Sequence, residues 1–341
     1  MKFRRNTAAG AAANNTILAA GEPGYETDSK TFKIGDGVTA WNTLPLAMSG
    51  TYAQIKEGPL VVTRYGAKGD GTTDDTAAFQ AAIQACYNAN GGAIYVPKPT
   101  GNGKYRINGQ LTFPDNNDAQ LATGKSVRIF GDGYSTVPNP SRNTGSTTLD
   151  LRYSGSVGKI YTKSQMVLEI DHLVLEENGA TTTTPFIYTT LGTVNLHDLT
   201  ILGHSSKINA TCDQDAIILG GNTAQYDNTP TSGFGGYGSV VERVAFNNLR
   251  RCVWFRTWSV TSVHRCIVGQ SCGAPSGSYA AFDLDRSGAG WCTSNTLTEN
   301  YIEQYGYVYA IAIRDHAQLN YVGFNSFWDS TGSTIGNFAL I

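Results

Sequence analysis

The stretch Val61-Val62-Thr63-Arg64-Tyr65-Gly66-Ala67-Lys68-Gly69-Asp70-Gly71-Thr72-Thr73-Asp74-Asp75 is a dense turn that runs straight into an apolar helical face. Ala78, Phe79, Ala82, Ile83 and Cys86 recur at i, i+1, i+4, i+5 and i+8, which places them on one side of a helix. Thr73 or Asp74 is expected to cap its N-terminus, with acidic charge at the positive helix end, and Gly91-Gly92 to stop it. Short strands follow at 93–96, ended by Pro97, and at 105–107. Beyond residue 120 the pattern is short apolar runs bounded by Gly, Asn, Asp or Ser. They fall at 127–130, 166–170, 172–175, 194–202, 216–219, 240–246, 253–255, 263–268, 281–284, 295–302, 307–313 and 321–327. No second helical run of ten residues lies between them. Doubly wound and TIM-type folds need a helix after each strand and are excluded.

The sequence Tyr65-Gly66-Ala67-Lys68-Gly69-Asp70-Gly71 with Asp74-Asp75, then an amphipathic helix, then Gly91-Gly92-Ala93-Ile94-Tyr95-Val96-Pro97, resembles the start of the pectate-lyase-like domain of phage tailspikes. That resemblance implies an all-β chain, a right-handed parallel β-helix with an N-terminal cap helix at about 74–88. The helix would cover the open end of a coil stack, whose apolar rungs and strand edges would otherwise face water. At roughly 20–25 residues per coil, about 220 residues give about nine to eleven coils. The stack would be roughly 45–50 Å long at about 4.8 Å per strand step. An antiparallel sandwich is the competing architecture.

Residues 1–50 form a separate block with turn signals at Gly21-Glu22-Pro23-Gly24 and Gly35-Asp36-Gly37, and with Trp41, Leu44 and Leu46 as a small core. About 45 residues are marginal alone, so the block is expected to lean on neighbours or on oligomerisation. Asn6-Thr7-Ala8-Ala9, then Ala20-Gly21-Glu22-Pro23-Gly24-Tyr25-Glu26-Thr27-Asp28, then Phe32-Lys33-Ile34-Gly35-Asp36-Gly37-Val38-Thr39-Ala40-Trp41 make it resemble the N-terminal module of phage tail fibres and tropism determinants. The resemblance implies a homotrimer held to phage tail or baseplate proteins through this module. The expected organisation is a virion-attachment module at 1–50, a linker at 51–60 and the β-helix at 61–341. The apolar run Phe338-Ala339-Leu340-Ile341 has no cap after it, which predicts a partial chain.

Composition agrees with stacked coils. Only 15% of residues are charged, against about 25% in an average soluble protein, while 39 Gly, 38 Thr and 24 Asn supply strands and turns. A net charge of −2 and pI of about 6.2 lack a basic footprint, so no nucleic-acid partner is expected. Cys86, Cys212, Cys252, Cys266, Cys272 and Cys292 form no C-x-x-C pair and read as buried thiols, with Cys266 and Cys272 the one close pair that invites a disulfide. The Ala-rich stretch after Arg5 mimics a signal peptide, but Asn14-Asn15-Thr16 break the apolar run it needs. No run reaches about 18 apolar residues, so no membrane insertion is expected. Synthesis in the host cytoplasm and residence on the virion follow from these readings.

Outward carboxylates on a coil are the candidates for chemistry, because side chains alternate between core and solvent along each strand. In Phe282-Asp283-Leu284-Asp285, Asp283 and Asp285 would face out side by side, an acid and its partner for a glycosidase; a solvated turn into Arg286 is the competing reading. Glu299 and Glu303, flanking Tyr301, would join them if stacked on the same sheet. Asp213 with Asp215 reads as a turn pair, and Glu169 with Asp171 as an alternating pair early in the stack. In Val253-Trp254-Phe255-Arg256-Thr257-Trp258, a core phase for Val253 and Phe255 leaves Trp254, Arg256 and Trp258 outside, to bind sugar or to be buried against another subunit. The stretch 226–237 reads as a loop. Residues 66–73 lack a phosphate-loop ending, Asp70, Asp74 and Asp75 lack Ca²⁺-loop spacing, and no Gly-x-Ser-x-Gly elbow occurs. His172, His197, His204, His264 and His316 are dispersed without ligand spacing, so no metal and no cofactor are expected.

Three functions compete. The first is a phage tailspike or tail fibre that binds host surface polysaccharide, with or without depolymerising it as a hydrolase or lyase. The second is a non-catalytic virion protein of the same fold. The third, a secreted pectate lyase or polygalacturonase, is disfavoured by the N-terminal module.

Overall fold

The computed structural model describes residues 4–29, 31–44, 58–101, 103–114, 125–134, 146–155, 157–162, 166–177, 183–207, 211–220, 236, 238–256, 258–269, 272–273, 279–285, 292–303, 309–314, 317, 319–328 and 338–340. The chain divides into two compact units, Met1–Gly58 and Pro59–Ile341. In the first, strands Arg4–Asn6, Pro23–Glu26 and Phe32–Ile34 lie side by side, the first pair parallel and the second antiparallel. The Ala-rich stretch forms a short helix, Ala8–Asn14, whose Thr7 cap accepts a hydrogen bond from Gly10 N at 3.1 Å. The break at Asn14-Asn15 ends it, with Asn15 in the left-handed region at φ +41°. Ala11, Leu18, Trp41 and Leu44 make the core. Trp41 Nε1 donates to Glu26 at 3.0 Å, and Lys33 Nζ donates to the Trp41 carbonyl at 2.6 Å. Leu46 lies outside the described residues.

The second unit is a right-handed parallel β-helix. One sheet stacks Leu111–Thr112, Ile160–Thr162, Ile187–Thr189, Asp215–Leu219, Arg251–Phe255, Ala280–Leu284, Tyr309–Ile313 and Phe338–Leu340, all parallel. The longer sheet runs through Leu60–Val61, Gly92–Val96, Ser126–Gly131, Val167–Glu176, Thr193–Leu202, Val240–Asn247, Ser262–His264, Thr296–Thr298 and Tyr321–Gly323. Nine strands along this path span about 38 Å at about 4.8 Å per step. The stack is shorter than the coil arithmetic predicts because coils take more residues: Ile160 pairs with Ile187, and Leu111 with Ile160. Three-residue rungs such as Ile160–Thr162 and Ile187–Thr189 carry too little pattern to stand out in the sequence. The interior is one continuous cluster from Val62 to Ile311, and all six cysteines are buried and free. Burial pushes the Cys266 and Cys292 thiols up to about 12.

The cap helix is Thr76–Asn88, with Ala78, Phe79, Ala82, Ile83 and Cys86 buried. Its N-cap position is Asp75, one residue later than expected. The Asp75 carboxylate does not cap; it accepts from the backbone N–H groups of Lys68 at 2.7 Å and Gly69 at 3.1 Å and so ties down the glycine-rich turn. Asp74 does the capping, accepting from Thr76 N at 3.1 Å.

Long strands turn a corner at a residue in the left-handed region. His172, Asp198, Arg243, Arg265, Glu299 and Phe324 have φ between +50° and +57° and follow one another along the stack. Runs read from sequence as continuous, 263–268, 295–302 and 321–327, are therefore split in two, whereas 166–170 and 172–175 form one bent strand, Val167–Glu176. Behind the later corners, buried asparagines form ladders. Asn300 Oδ1 accepts from Cys266 N at 3.0 Å, and Asn325 Oδ1 accepts from Asn300 N at 3.0 Å; Asn295 and Asn320 repeat the arrangement.

Candidate active site

The carboxylates singled out in the sequence do not converge. Phe282 and Leu284 are in the core, and Asp283 faces the other way, yet it is 1% exposed. Arg314 Nε donates to its Oδ1 at 2.6 Å, and Arg251 Nη1 stands 3.9 Å from its Oδ2. Burial raises the Asp283 pKa, and the two guanidiniums offset this only in part. Asp285, just past the strand, is partly exposed. Glu299 occupies a corner and pairs with Arg265 Nε at 2.8 Å, and Glu303 ends the strand Tyr301–Glu303. Asp283 belongs to the eight-stranded sheet and Glu303 to the other. Phe282 pairs with Ile311, so a coil here takes 29 residues, and positions 16 to 20 residues apart fall on different faces of one coil.

The tryptophan row is also shorter than expected. Val253 and Phe255 are in the core, and Trp254 is outward and partly exposed. Its ring carries the guanidinium of Arg251 at 3.4 Å and that of Arg256 at 4.5 Å, so cations occupy the aromatic surface. Trp258 is fully buried and its Nε1 donates to Ser239 Oγ at 3.0 Å. The strand ends at Phe255, its two-residue period ends there too, and the chain turns Trp258 inward against Gly236, where a Cβ would collide with the indole. Asp215 is no turn residue: it is buried, and Arg250 and Arg251 each grip it with Nε at 3.0 Å and Nη2 at 2.7 Å. Burial would raise its pKa, but the two arginines outweigh burial and hold it below the usual carboxylate range. Asp213 pairs with Lys207 at 3.2 Å. Most of the 226–237 loop lies outside the described residues.

The functional side chains that do converge lie on the long sheet. Register stacks Asp171 on His197, His197 on Glu242, and Glu242 on His264. Corner residues His172, Asp198 and Arg243 stand beside this row. Arg128 Nε and Nη2 donate to the two oxygens of Asp171 at 2.8 and 2.6 Å, and His172 Nδ1 is 2.7 Å from Asp171 Oδ2. His197 lies between carboxylates, Nδ1 3.0 Å from Asp198 Oδ2 and Nε2 3.2 Å from Glu169 Oε1. Arg243 donates to Asp198 at 2.7 and 2.8 Å, and the Tyr134 hydroxyl donates to the same carboxylate at 2.8 Å. Tyr134, Arg243, Val244, Ala245, Arg265 and Ile267 line an adjoining depression of about 420 Å³.

Electrostatics fix the protonation states. Burial and the Asp198 hydrogen bond push Tyr134 up to about 12, so it stays a phenol. The Arg243 hydrogen bonds hold Asp198 well below the usual range against burial. Burial works to lower the His197 pKa, but Asp198 and Glu169 outweigh it and the net shift is upward. A phenol and an imidazole able to donate, ionised carboxylates able to accept and an apolar floor suit a hydroxyl-rich ligand.

Residues 60–273, more than half of the chain and all of this site except Glu299, match the family described as rhamnogalacturonase A/epimerase, pectate lyase-like. The chain belongs to this family. Residues 1–39 match the major tropism determinant N-terminal domain. Alginate lyase 7 of Azotobacter vinelandii is 44% identical over 72 residues, 21% of this chain and 8% of the lyase, so the chain spans less than a tenth of that relative. Among solved structures, ORF18 of Geobacillus virus E2 aligns over 92% of this chain and 64% of its own, with 16% identity and TM-score 0.40. The tailspike of Acinetobacter baumannii phage AM24 aligns over 92% and 58%, with 12% identity and TM-score 0.24.

In this pectate lyase-like chain, Glu169 and Asp171 belong to the converging set, and the histidines read as dispersed do not stay dispersed. Asp171 and His197 are 26 residues apart and stack directly. Local ligand spacing is the wrong ruler for a coil fold. The signal available in the sequence was the recurrence of adjacent charged pairs after apolar runs, Asp171-His172, His197-Asp198, Glu242-Arg243 and His264-Arg265, at coil-like intervals.

Proposed function

We propose that this chain is a bacteriophage tail component whose first unit attaches to the tail and whose β-helix binds a host surface polysaccharide at the depression lined by Tyr134, Arg243 and Arg265. The observation that carries the reading is the combination, in one chain, of a tropism-determinant N-terminal match with a pectate lyase-like coil stack. The site chemistry supports it: paired guanidiniums and a phenol offer hydrogen bonds to sugar hydroxyls, while Ile267, Val244 and Ala245 supply an apolar floor. The working assembly is a homotrimer on the virion, synthesised in the host cytoplasm. Among the described residues, no helix is long and apolar enough to cross a membrane.

Adsorption competition tests this reading. Purified chain, mass-checked by mass photometry for three copies of 36.5 kDa, is added to host cells before the phage. Saturating chain blocks adsorption if the reading holds. Undiminished adsorption, or a stable monomer, contradicts the binding and assembly claims respectively. Reducing-end release from the purified glycan in the same preparation separates a depolymerase from a pure adhesin.

A further inference from the structure

Asp171, His172 and His197 each offer one ligand atom within 4.8 Å of the other two. In a regular strand Asp171 and His172 would point to opposite faces. The left-handed backbone of His172, φ +54°, breaks that alternation and brings its Nδ1 to 2.7 Å from Asp171 Oδ2. His197 arrives from the next coil by register. Its ring is oriented from behind: Asp198 sits at Nδ1, and Asp198 is itself fixed by Arg243 and Tyr134. A carboxylate on one ring nitrogen, leaving the other for a ligand, is how metal-binding imidazoles are held. Glu169, 3.2 Å from His197 Nε2, stands where a fourth donor is needed.

Charge points the same way. Glu169, Asp171, Asp198, Glu242 and Glu299 face Arg128, Arg243 and Arg265, five carboxylates against three guanidiniums. The excess of two negative charges matches a divalent cation. The His172 side chain is 44% exposed and that of His197 24%, so an ion can reach them from solvent. Arg128 is the competitor, since its Nη2 holds the Asp171 oxygen that the ion would take, while its Nε bond to the other oxygen can persist.

We propose that Asp171, His172 and His197, with Glu169 beside them, form a binding site for a borderline divalent transition metal of the Zn²⁺, Co²⁺ or Ni²⁺ class. Two imidazoles select these ions over Ca²⁺ and Mg²⁺, which take oxygen ligands. Closing the shell from the present separations to the about 3.3 Å between ligand atoms in a tetrahedral zinc site takes side-chain rotation alone. The ion would tie two successive coils together. This proposal is independent of the polysaccharide reading, because metal uptake is measured with no glycan present.

The untagged full chain, stripped with EDTA and dialysed, is titrated with ZnCl₂ and with CaCl₂ by calorimetry, and with CoCl₂ by visible absorption. One saturable Zn²⁺ per chain is expected, bound more tightly than Ca²⁺, with Co²⁺ giving d–d bands. His172→Ala, at a half-exposed position, and His197→Gln, which keeps a hydrogen-bonding group toward Asp198, should each weaken Zn²⁺ by at least about tenfold. His204→Ala should leave it unchanged. Absence of saturable Zn²⁺ uptake or of Co²⁺ bands in the wild-type chain overturns the proposal whatever the variants do, as does Zn²⁺ affinity unmoved by both site variants or no tighter than that for Ca²⁺.

Discussion

Asp215 shows how much rests on single polar residues in this interior. Two guanidiniums share one buried carboxylate, and removing the carboxylate strands both charges. Asp215→Asn is expected to cost about 3–5 kcal/mol at pH 7 by chemical denaturation. Because the folded-state pKa is depressed, this stability is present above the unfolded value of about 3.9 and is lost as pH falls from there toward the folded pKa. The gap between wild type and Asp215→Asn should therefore narrow on acidification below about pH 4, and a gap that stays constant would contradict the pairing. Asp283 obeys a different balance, with burial dominant over Arg314 and Arg251. It is an interior ion pair and not an open catalytic acid.

At the scale of the element, corners decide both the fold and its legibility. Phe324 and Leu319 hold left-handed conformations at φ +55° while 82% and 84% exposed. A bulky side chain there strains the backbone and contributes little burial. Phe324→Asn and Leu319→Asn are each expected to raise stability by about 1 kcal/mol, read as an increased denaturation midpoint; a lowered midpoint would show that these side chains are covered in the assembled protein. The cap helix was legible because five apolar residues share one face and a glycine-rich turn precedes them. Strand phase was legible at Phe282 and Leu284, where the strand is regular. It failed at Trp258, because the sequence does not mark where a strand of five residues gives way to a corner. The site failed for a related reason. Its members come from four coils, and their meeting depends on corner residues such as His172 and Asp198 whose left-handed backbone no propensity scale assigns to histidine.

At the scale of the molecule, few charges and many Gly, Thr and Asn acquire specific uses. Threonine and aliphatic residues fill rungs, asparagines ladder behind corners, and most charges of the coil stack are spent on pairs between neighbouring coils, as in Arg243 with Asp198 and Arg265 with Glu299. A low charge fraction then leaves a few polar, shaped places on the surface, of which the depression beside Tyr134 is one. The central claim is that this place binds a host glycan. Its most direct test is equilibrium binding of the full chain to surface polysaccharide purified from the host, for the wild type and for Arg265→Ala, whose exposed ion pairs contribute little to folding. Saturable wild-type binding, weakened at least about fivefold in the variant, is the predicted result. Absence of saturable binding, or binding that Arg265→Ala leaves unchanged, would contradict the account.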